Sequence, residues 1–347
     1  MVTRRRFLSA TAAAAAAGAF AAPHIAKAAE FTFTIHHFLS PKASTQTKLI
    51  EPWAERVSAA SEGRIAFEIF PAMALGGKPP ELYNQVRAGV ADIVWTLPGY
   101  TPGVFPRLEV FELATVHSGS AAVTTKAIQS VLPMLAGDLS DVKPLLIHTH
   151  AGNALHTVST DVNGPSDVAG LKLRSPSRTG VWMLESWGAE PVGMPVPALP
   201  QALSKGTIDG ALIPFEVAIP LKIAQLAEYS VEMSGGRRFG TSTFMFAMNK
   251  QRFADLPADL KAVIDAHSNA AIAGDIGTAW DAIEPVGKKI ATDQGRTVKQ
   301  LSPEASAEFD ALHQGLTGRW LDEVSDKGID GDALLAAALA AMKAHAI

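Results

Sequence analysis

Two stretches of equal length decide the fold: PELYNQVRAGVAD at residues 80–92 and PALPQALSKGTID at residues 197–209. Two apolar residues and a glycine keep the same spacing in both copies, namely Leu82, Val86 and Gly89, then Leu199, Leu203 and Gly206. Each copy is typical of a helix with one apolar face, a C-terminal glycine that can take a positive φ, and a turn into a strand. The repetition favours two lobes of similar build; the alternative is that helix–glycine–strand units are simply common.

Outward from these stretches, predicted strands alternate with predicted helices. The strands are expected at residues 31–38, 65–70, 91–95, 143–150, 171–174 and 208–213. Such alternation predicts an α/β protein with parallel, doubly wound sheets. Residues 257 to about 295 have helical periodicity and predict a long helix that braces both lobes, which Pro285 bends or divides.

Composition restricts the class of protein. The chain has 347 residues, of which 48% are hydrophobic and 18% charged, and it contains no cysteine. This length and apolar content suit a packed protein of two lobes. The absence of cysteine excludes disulfides, thiol nucleophiles and cysteine-based metal sites.

The N-terminus resembles an export signal over residues 1–28. Arg4, Arg5 and Arg6 precede an alanine-rich stretch, and Ala26-Lys27-Ala28 has the A-x-A form of a cleavage site. The arginines favour the twin-arginine route, with general export or an N-terminal anchor as alternatives, and the expected location is the periplasm. Residues 1–28 carry four basic residues and no acid, so their removal changes the net charge from −4 to −8. An acidic chain is unsuited to binding nucleic acid or an anionic membrane surface.

Catalytic signatures are missing from the sequence. We find no G-x-S-x-G, phosphate-loop, G-x-G-x-x-G or H-E-x-x-H pattern. His148, His150 and His156 could form a zinc site, but no acid stands at ligand spacing, so ordinary hydrogen-bonded or pocket-lining histidines are favoured. We expect no catalysis, no metal and no cofactor.

A predicted strand in GLKLRSPSR, residues 170–178, ends at Arg174. Ligands bind at strand ends in open α/β sheets, and a guanidinium can pair with a carboxylate there. A surface arginine paired with a neighbouring acid is the alternative that spacing alone leaves open.

These stretches together resemble the DctP-type substrate-binding subunits of TRAP transporters. The resemblance rests on the arginine segment and on four other stretches: Pro71–Gly76 with Glu81, Val86–Asp92, Pro197–Gly210, and Met248–Lys250 with Leu256-Pro257. It implies a two-lobed periplasmic binding protein (type II-like) with a ligand cleft between the lobes and a long bracing helix. It also implies that Arg174 clamps a carboxylate and that the small and large membrane subunits of a TRAP system are the partners. An ABC-type binding protein and a periplasmic hydrolase or lyase, with Glu216, Asp209 or His150 as base, are the rival readings.

We expect the lobes to be discontinuous in sequence. Residues 29–151 plus about 240–279 are assigned to lobe I, and residues 152–239 plus about 280–347 to lobe II.

Two departures from the family pattern suggest the ligand class. Residues 150–156 lack the second arginine that many members carry, and Ile213 stands where many have asparagine. Fewer polar groups and added aromatic side chains favour a monocarboxylate with an apolar or aromatic body. The candidate ligand-binding residues lie at or near predicted strand ends and turns: Arg174, Phe38, His37, Trp95, Tyr100, His150, Asn153, Ser175, Arg178, Phe215 and Glu216.

Overall fold

A computed structural model describes residues 29–117 and 119–346. The predicted export signal, residues 1–28, lies outside the described residues. No helix in the described part of the chain is both long and apolar enough to cross a membrane.

Two β-sheets form the framework of the protein. The first has five strands in the order β2-β1-β3-β10-β4 and the second six in the order β11-β9-β5-β8-β6-β7. The strands of the first sheet are β1 (Phe31–His37), β2 (Ile65–Phe70), β3 (Ile93–Thr96), β4 (Val142–Thr149) and β10 (Thr243–Asn249). Those of the second are β5 (Ala154–Thr157), β6 (Lys172–Ser175), β7 (Glu190–Gly193), β8 (Gly210–Ile213), β9 (Tyr229–Glu232) and β11 (Thr297–Gln300). Two sheets with helices on them confirm the predicted two-lobed α/β architecture.

Both sheets are mixed, so the expectation of parallel sheets is wrong for one strand in each. β10 runs antiparallel to β3 and β4, and β5 runs antiparallel to β8 and β9. Each of these strands directly follows a crossing of the chain between the sheets, at residues 150–153 or 233–242.

Eleven α-helices pack on the sheets within the described residues. They are α1 (Glu51–Ala60), α2 (Leu82–Ala88), α3 (Ala121–Ser130), α4 (Arg178–Ser186), α5 (Leu199–Ser204), α6 (Phe215–Ala218), α7 (Lys250–Ala254), α8 (Ala258–Ala266), α9 (Ala270–Asp293), α10 (Pro303–Ser325) and α11 (Gly331–His345). The two repeated stretches form α2 and α5, and each is followed by its glycine at positive φ, 73° for Gly89 and 66° for Gly206. Glycine takes this conformation without the penalty that a Cβ would impose. One stretch precedes a strand of the first sheet and the other a strand of the second.

The predicted long helix is α9, which packs against α3 and β4 on one side of the molecule and α6 and β11 on the other. It therefore braces both sheets, as expected. Pro285 lies inside α9 without dividing it, and the break falls earlier, at residues 267–269, where Asn269 has φ 52°. The C-terminal α11 packs against α3, although the predicted division places its residues in lobe II; the lobe boundaries remain a prediction.

Candidate ligand cavity

A cavity lies between the two sheets, with about 430 Å³ of empty space that includes its opening to solvent. Side chains from both sheets, from their crossings and from α9 line it: Phe38, Leu39, Thr45, Trp95, Leu97, Tyr100, His150, Asn153, Arg174, Pro176, Val196, Leu212, Ile213, Pro214, Glu216, Val217, Ser242, Phe244 and Trp280. The lining is mainly apolar with a few polar groups, which is the usual composition of a small-molecule site.

Arg174 supplies the positive charge of the cavity. It lies near the end of β6, directly before Ser175 and Pro176, and its side chain is only 2% exposed. Its Nε donates to the carbonyl oxygen of Met194 at 2.9 Å and its Nη1 to that of Leu212 at 3.1 Å. These two bonds hold the guanidinium plane, and Nη2 is buried without a hydrogen-bond partner in the described structure.

No ion pair among the described residues involves Arg174. Burial lowers the pKa of Arg174, while the neighbouring Tyr100 raises it. Arginine nevertheless remains charged in proteins, because its pKa starts above 12. A buried cation without a counter-charge is costly unless an anion arrives, so this end of the cavity is suited to bind one.

The Tyr100 hydroxyl lies beside this guanidinium. It accepts a hydrogen bond from the Val196 backbone N–H at 2.9 Å, which leaves its own proton free to donate. Burial raises the pKa of Tyr100, so the hydroxyl stays protonated. This contact also joins the two sides of the cavity, since Tyr100 follows β3 of the first sheet and Val196 follows β7 of the second.

Aromatic rings form one wall of the cavity. The ring of Phe38 lies 5.0 Å from that of Trp95 and 5.4 Å from that of Tyr100, and Trp95 stacks on Phe244 at 4.8 Å with an interplanar angle of 10°. Trp280 reaches the same cavity from α9. A flat apolar ligand would find large, rigid contact surfaces here.

His150 is a neutral donor in the cavity lining. Its Nδ1 accepts from the Gly152 backbone N–H at 2.9 Å, so the ring proton belongs on Nε2. Burial, followed by the charges of His117 and Arg238 among others, lowers the pKa of His150 well below its ordinary value.

Glu216 is the acidic group of the cavity. It is buried, and no ion pair of the described residues includes it. Its pKa is raised to about 7, chiefly by burial; a hydrogen bond from Ser44 opposes the shift and the charge of Glu284 adds to it. Near neutral pH a large share of Glu216 therefore carries its proton.

The structure brings seven of the eleven predicted site residues to this cavity: Arg174, Phe38, Trp95, Tyr100, His150, Asn153 and Glu216. The other four, His37, Ser175, Arg178 and Phe215, lie outside it. His37 contacts Gln46 at 3.1 Å, and Ser175 donates to the Ser177 carbonyl at 3.0 Å.

Arg178 opens α4 and pairs with Glu109, through Nε at 2.5 Å and Nη2 at 2.6 Å, and with Glu323. Pairing with neighbouring acids was the alternative considered for Arg174, and within this segment the structure shows it for Arg178 instead. Phe215 packs edge-on against His156 at 5.0 Å on the other side of the Pro214–Glu216 turn.

Sequence reasoning missed Ser242, Phe244 and Trp280. Phe244 belongs to TFMFAMN, a continuous buried run whose lack of alternation gives no sign of which face meets a cavity. Trp280 shares the helical periodicity of the core residues of α9. The described residues contain no group of three or more His, Cys, Asp or Glu side chains arranged to hold a metal ion.

Two lobes around a buried cavity that contains one uncompensated arginine define a solute-binding protein of the two-lobed type. The profile of the family described as bacterial extracellular solute-binding protein, family 7 (DctP), matches residues 35–321. The chain belongs to this family of TRAP solute-binding proteins.

Solved structures give the same result. A TRAP solute-binding protein from a marine metagenome, specific for aromatic acid ligands and bound to 3-hydroxybenzoate, is 41% identical, with a TM-score of 0.89 over 92% of this chain and 99% of that one. A TRAP solute-binding protein from Rhodoferax ferrireducens, with copurified benzoate, is 37% identical, with a TM-score of 0.88 over 91% of this chain and 98% of that one. The protein of Comamonas testosteroni named outer membrane transporter protein TsaT is 23% identical over 91% of this chain and 93% of its own length.

Proposed function

We propose that this protein is the periplasmic receptor of a TRAP transporter, that it captures an aromatic monocarboxylate between its lobes, and that it delivers this ligand to the small and large membrane subunits. The observation that carries the proposal is the Arg174 guanidinium, buried in an aromatic-walled cavity with Nη2 unpartnered. The metagenome and Rhodoferax relatives, at 41% and 37% identity, bind 3-hydroxybenzoate and benzoate.

The carboxylate of the ligand pairs with Arg174. Nη2 donates to one carboxylate oxygen, and the Tyr100 hydroxyl is placed beside the guanidinium to donate as well. Charge-assisted hydrogen bonds of this kind are about twice as strong as neutral ones, and the ligand supplies the missing counter-charge. The apolar body then lies among Phe38, Trp95 and Phe244.

Binding favours the closed arrangement of the two lobes. The cavity wall takes Trp95 and Phe244 from the first sheet and Arg174 from the second, so a ligand that contacts all three stabilises the state in which they are close. Only this state presents the surface that the membrane subunits recognise. No chemical step is part of the proposal, and the ligand leaves unchanged.

Titration of the purified protein with benzoate and 3-hydroxybenzoate tests the proposal. Calorimetry gives the affinity, and the fluorescence of Trp95 and Trp280 in the cavity wall gives an independent signal. We expect Arg174→Gln to weaken binding by about 100-fold, because truncating one member of a buried charge pair costs about 2–5 kcal/mol. Mass spectrometry of the recovered ligand checks that it is unaltered.

Arg237→Gln is the matched control. Arg237 also lies near the second sheet, but its guanidinium is exposed and paired with Asp310 at 2.9 Å. Its loss removes the same charge from the protein and leaves the cavity intact, so affinity should stay within about twofold. Equal affinity in the wild type and Arg174→Gln, or a lack of aromatic acid binding, would overturn the proposal.

A further inference from the structure

We infer that the ligand carries a hydroxyl group on its apolar body and that Asn153 and Ser242 bind this hydroxyl. The inference rests on the proposed function and names the second polar group of the ligand. It concerns the crossings of the chain between the two sheets, where both residues lie.

Asn153 and Ser242 each bring an unpartnered polar atom to the cavity. Asn153 is 3% exposed and Ser242 1% exposed, both line the cavity, and neither Asn153 Oδ1 nor Ser242 Oγ has a hydrogen-bond partner in the described structure. Buried polar atoms are nearly always satisfied, because an unsatisfied one costs the full desolvation penalty of the group. These two atoms are therefore positioned for a partner that arrives with the ligand.

The orientation of the Asn153 amide is fixed by its neighbours. Its Nδ2 donates to the Phe239 carbonyl at 3.3 Å, and its backbone N–H donates to the Gly240 carbonyl at 2.9 Å. Rotation of the amide would place Oδ1 against a carbonyl oxygen. The atom offered to the cavity is thus an acceptor, and the ligand must present a donor to it.

The strand order of the second sheet places the Asn153 acceptor and the Arg174 guanidinium on opposite sides of β8. Strand β8 lies between β6, which carries Arg174, and β5, which Asn153 directly precedes. The Arg174 side chain reaches β8 at Leu212, and Ala154, next to Asn153, pairs with Ile213 on the other side of β8. A ring with its carboxylate on Arg174 therefore lies over the end of β8 and directs its far substituent towards Asn153.

A hydroxyl group has the hydrogen-bonding chemistry that suits both atoms. It can donate to Asn153 Oδ1 and accept from Ser242 Oγ, whereas an ether or a halogen has no proton to donate. A second carboxylate would place negative charge against the acceptor Oδ1. The structure thus favours hydroxylated aromatic monocarboxylates over unsubstituted acids and dicarboxylates.

Calorimetry with matched acids tests this preference. The panel is benzoate, its three monohydroxy isomers and the three corresponding methoxybenzoates. We expect one hydroxy isomer to bind about tenfold more tightly than benzoate, and its methoxy counterpart to lose that gain, since one neutral hydrogen bond with relief of an unpaired group is of this size.

Three variants test which residues cause the preference for a hydroxylated ligand. The hydroxyl preference is the ratio of the affinities of one variant for the hydroxy acid and for benzoate. Ser242→Ala should reduce this ratio by about threefold, and Asn153→Leu should bring it to about one. Thr149→Val is the control, because Thr149 Oγ1 is also buried and unpartnered but lies outside the cavity. It should leave the preference unchanged.

Each outcome decides the inference. If benzoate and every hydroxy isomer bind equally, or if the preference survives in both Ser242→Ala and Asn153→Leu, the inference is wrong while the proposed function stands. If no aromatic acid binds at all, both fall together. Ser242→Ala removes a single oxygen, so it remains informative even if Asn153→Leu fails to fold.

Discussion

Two buried arginines, Arg174 and Arg238, have opposite surroundings. Arg238 is 6% exposed and pairs through Nη2 with Glu232 and through Nη1 with Glu284, both at 2.8 Å. Arg174 is as well buried, yet its hydrogen bonds go to the carbonyl oxygens of Met194 and Leu212, and no ion pair among the described residues includes it. Burial is common to both arginines, so the proposed binding role of Arg174 rests on the absence of a counter-charge.

The ion-pair cluster of Arg238, Glu232 and Glu284 also stabilises the structure around the cavity. Glu284, on α9, accepts the Glu216 backbone N–H at 2.8 Å and so holds the start of α6, which carries Glu216 to the cavity. Lys288 adds a second cation to Glu232 at 2.7 Å. Two positive and two negative side chains are thus balanced in this cluster, whereas Arg174 in the cavity has no ion-pair partner among the described residues.

The largest expected effect is that of Arg238→Met on folding stability. This change leaves Glu232 and Glu284 buried with less compensation, and breaking a buried pair typically costs about 3–5 kcal/mol. Urea unfolding followed by circular dichroism should show that loss. If the variant is as stable as the wild type, the ion pairs of Arg238 do not stabilise the fold, and the contrast drawn between Arg238 and Arg174 is wrong.

Binding should weaken as the pH rises, through Glu216. Its pKa is raised to about 7, chiefly by burial, and the carboxylate of a bound ligand raises it further. At pH 8 the complex must therefore take up a proton, and Kd should increase by up to about tenfold per pH unit above 7. Calorimetry in two buffers of different ionisation enthalpy measures the number of protons that the complex takes up when the ligand binds.

Glu216→Gln is the control for this pH dependence and should make Kd flat between pH 6 and 8, a range chosen to span the pKa of about 7. The same raised pKa affects the unliganded protein. The folded state binds more protons than the unfolded state between the ordinary value of 4.5 and about 7, so this group contributes stability that is lost as the pH rises through that window. A wild-type Kd independent of pH would show that Glu216 does not sense the ligand.

A smaller effect is expected from Arg178→Gln. Arg178 pairs with Glu109 and Glu323 outside the cavity, and its guanidinium is partly exposed, so the loss of stability should be about 1 kcal/mol. Affinity for the aromatic acid should change less than about threefold, in contrast to Arg174→Gln. A large loss of affinity in Arg178→Gln would show that residues outside the cavity contribute to ligand binding.

The smallest effect, and the most diagnostic, is that of Arg174→Met on the unliganded protein. Replacing an uncompensated buried cation by an apolar side chain of similar length removes a desolvation cost, so stability without ligand should equal or exceed that of the wild type. Thermal unfolding without benzoate measures the stability of the unliganded variant, and unfolding with benzoate measures the stabilisation that the ligand adds. Strong destabilisation without ligand would assign Arg174 a structural role like that of Arg238.

The sequence by itself determined the two-lobed α/β architecture and the position of Arg174 near the end of a strand. Equal spacing in residues 80–92 and 197–209 predicted two similar units, and Gly89 and Gly206 adopt the positive φ that the pattern requires. The strand predicted to end at Arg174 extends one residue further, to Ser175 before Pro176, and this was close enough to place the arginine near a strand end, because strand termination is a local property.

Only the tertiary structure decided which side chains meet. Arg174 and Arg178 are four residues apart, but the strand ends between them and α4 begins, so one turns into the cavity and the other towards Glu109 and Glu323. Ser242 reaches the cavity from the crossing at residues 233–242, Phe244 from β10 and Trp280 from α9, all far along the chain from Arg174. The antiparallel entry of β5 and β10 sets those positions, and it depends on contacts between distant segments that no local sequence pattern encodes.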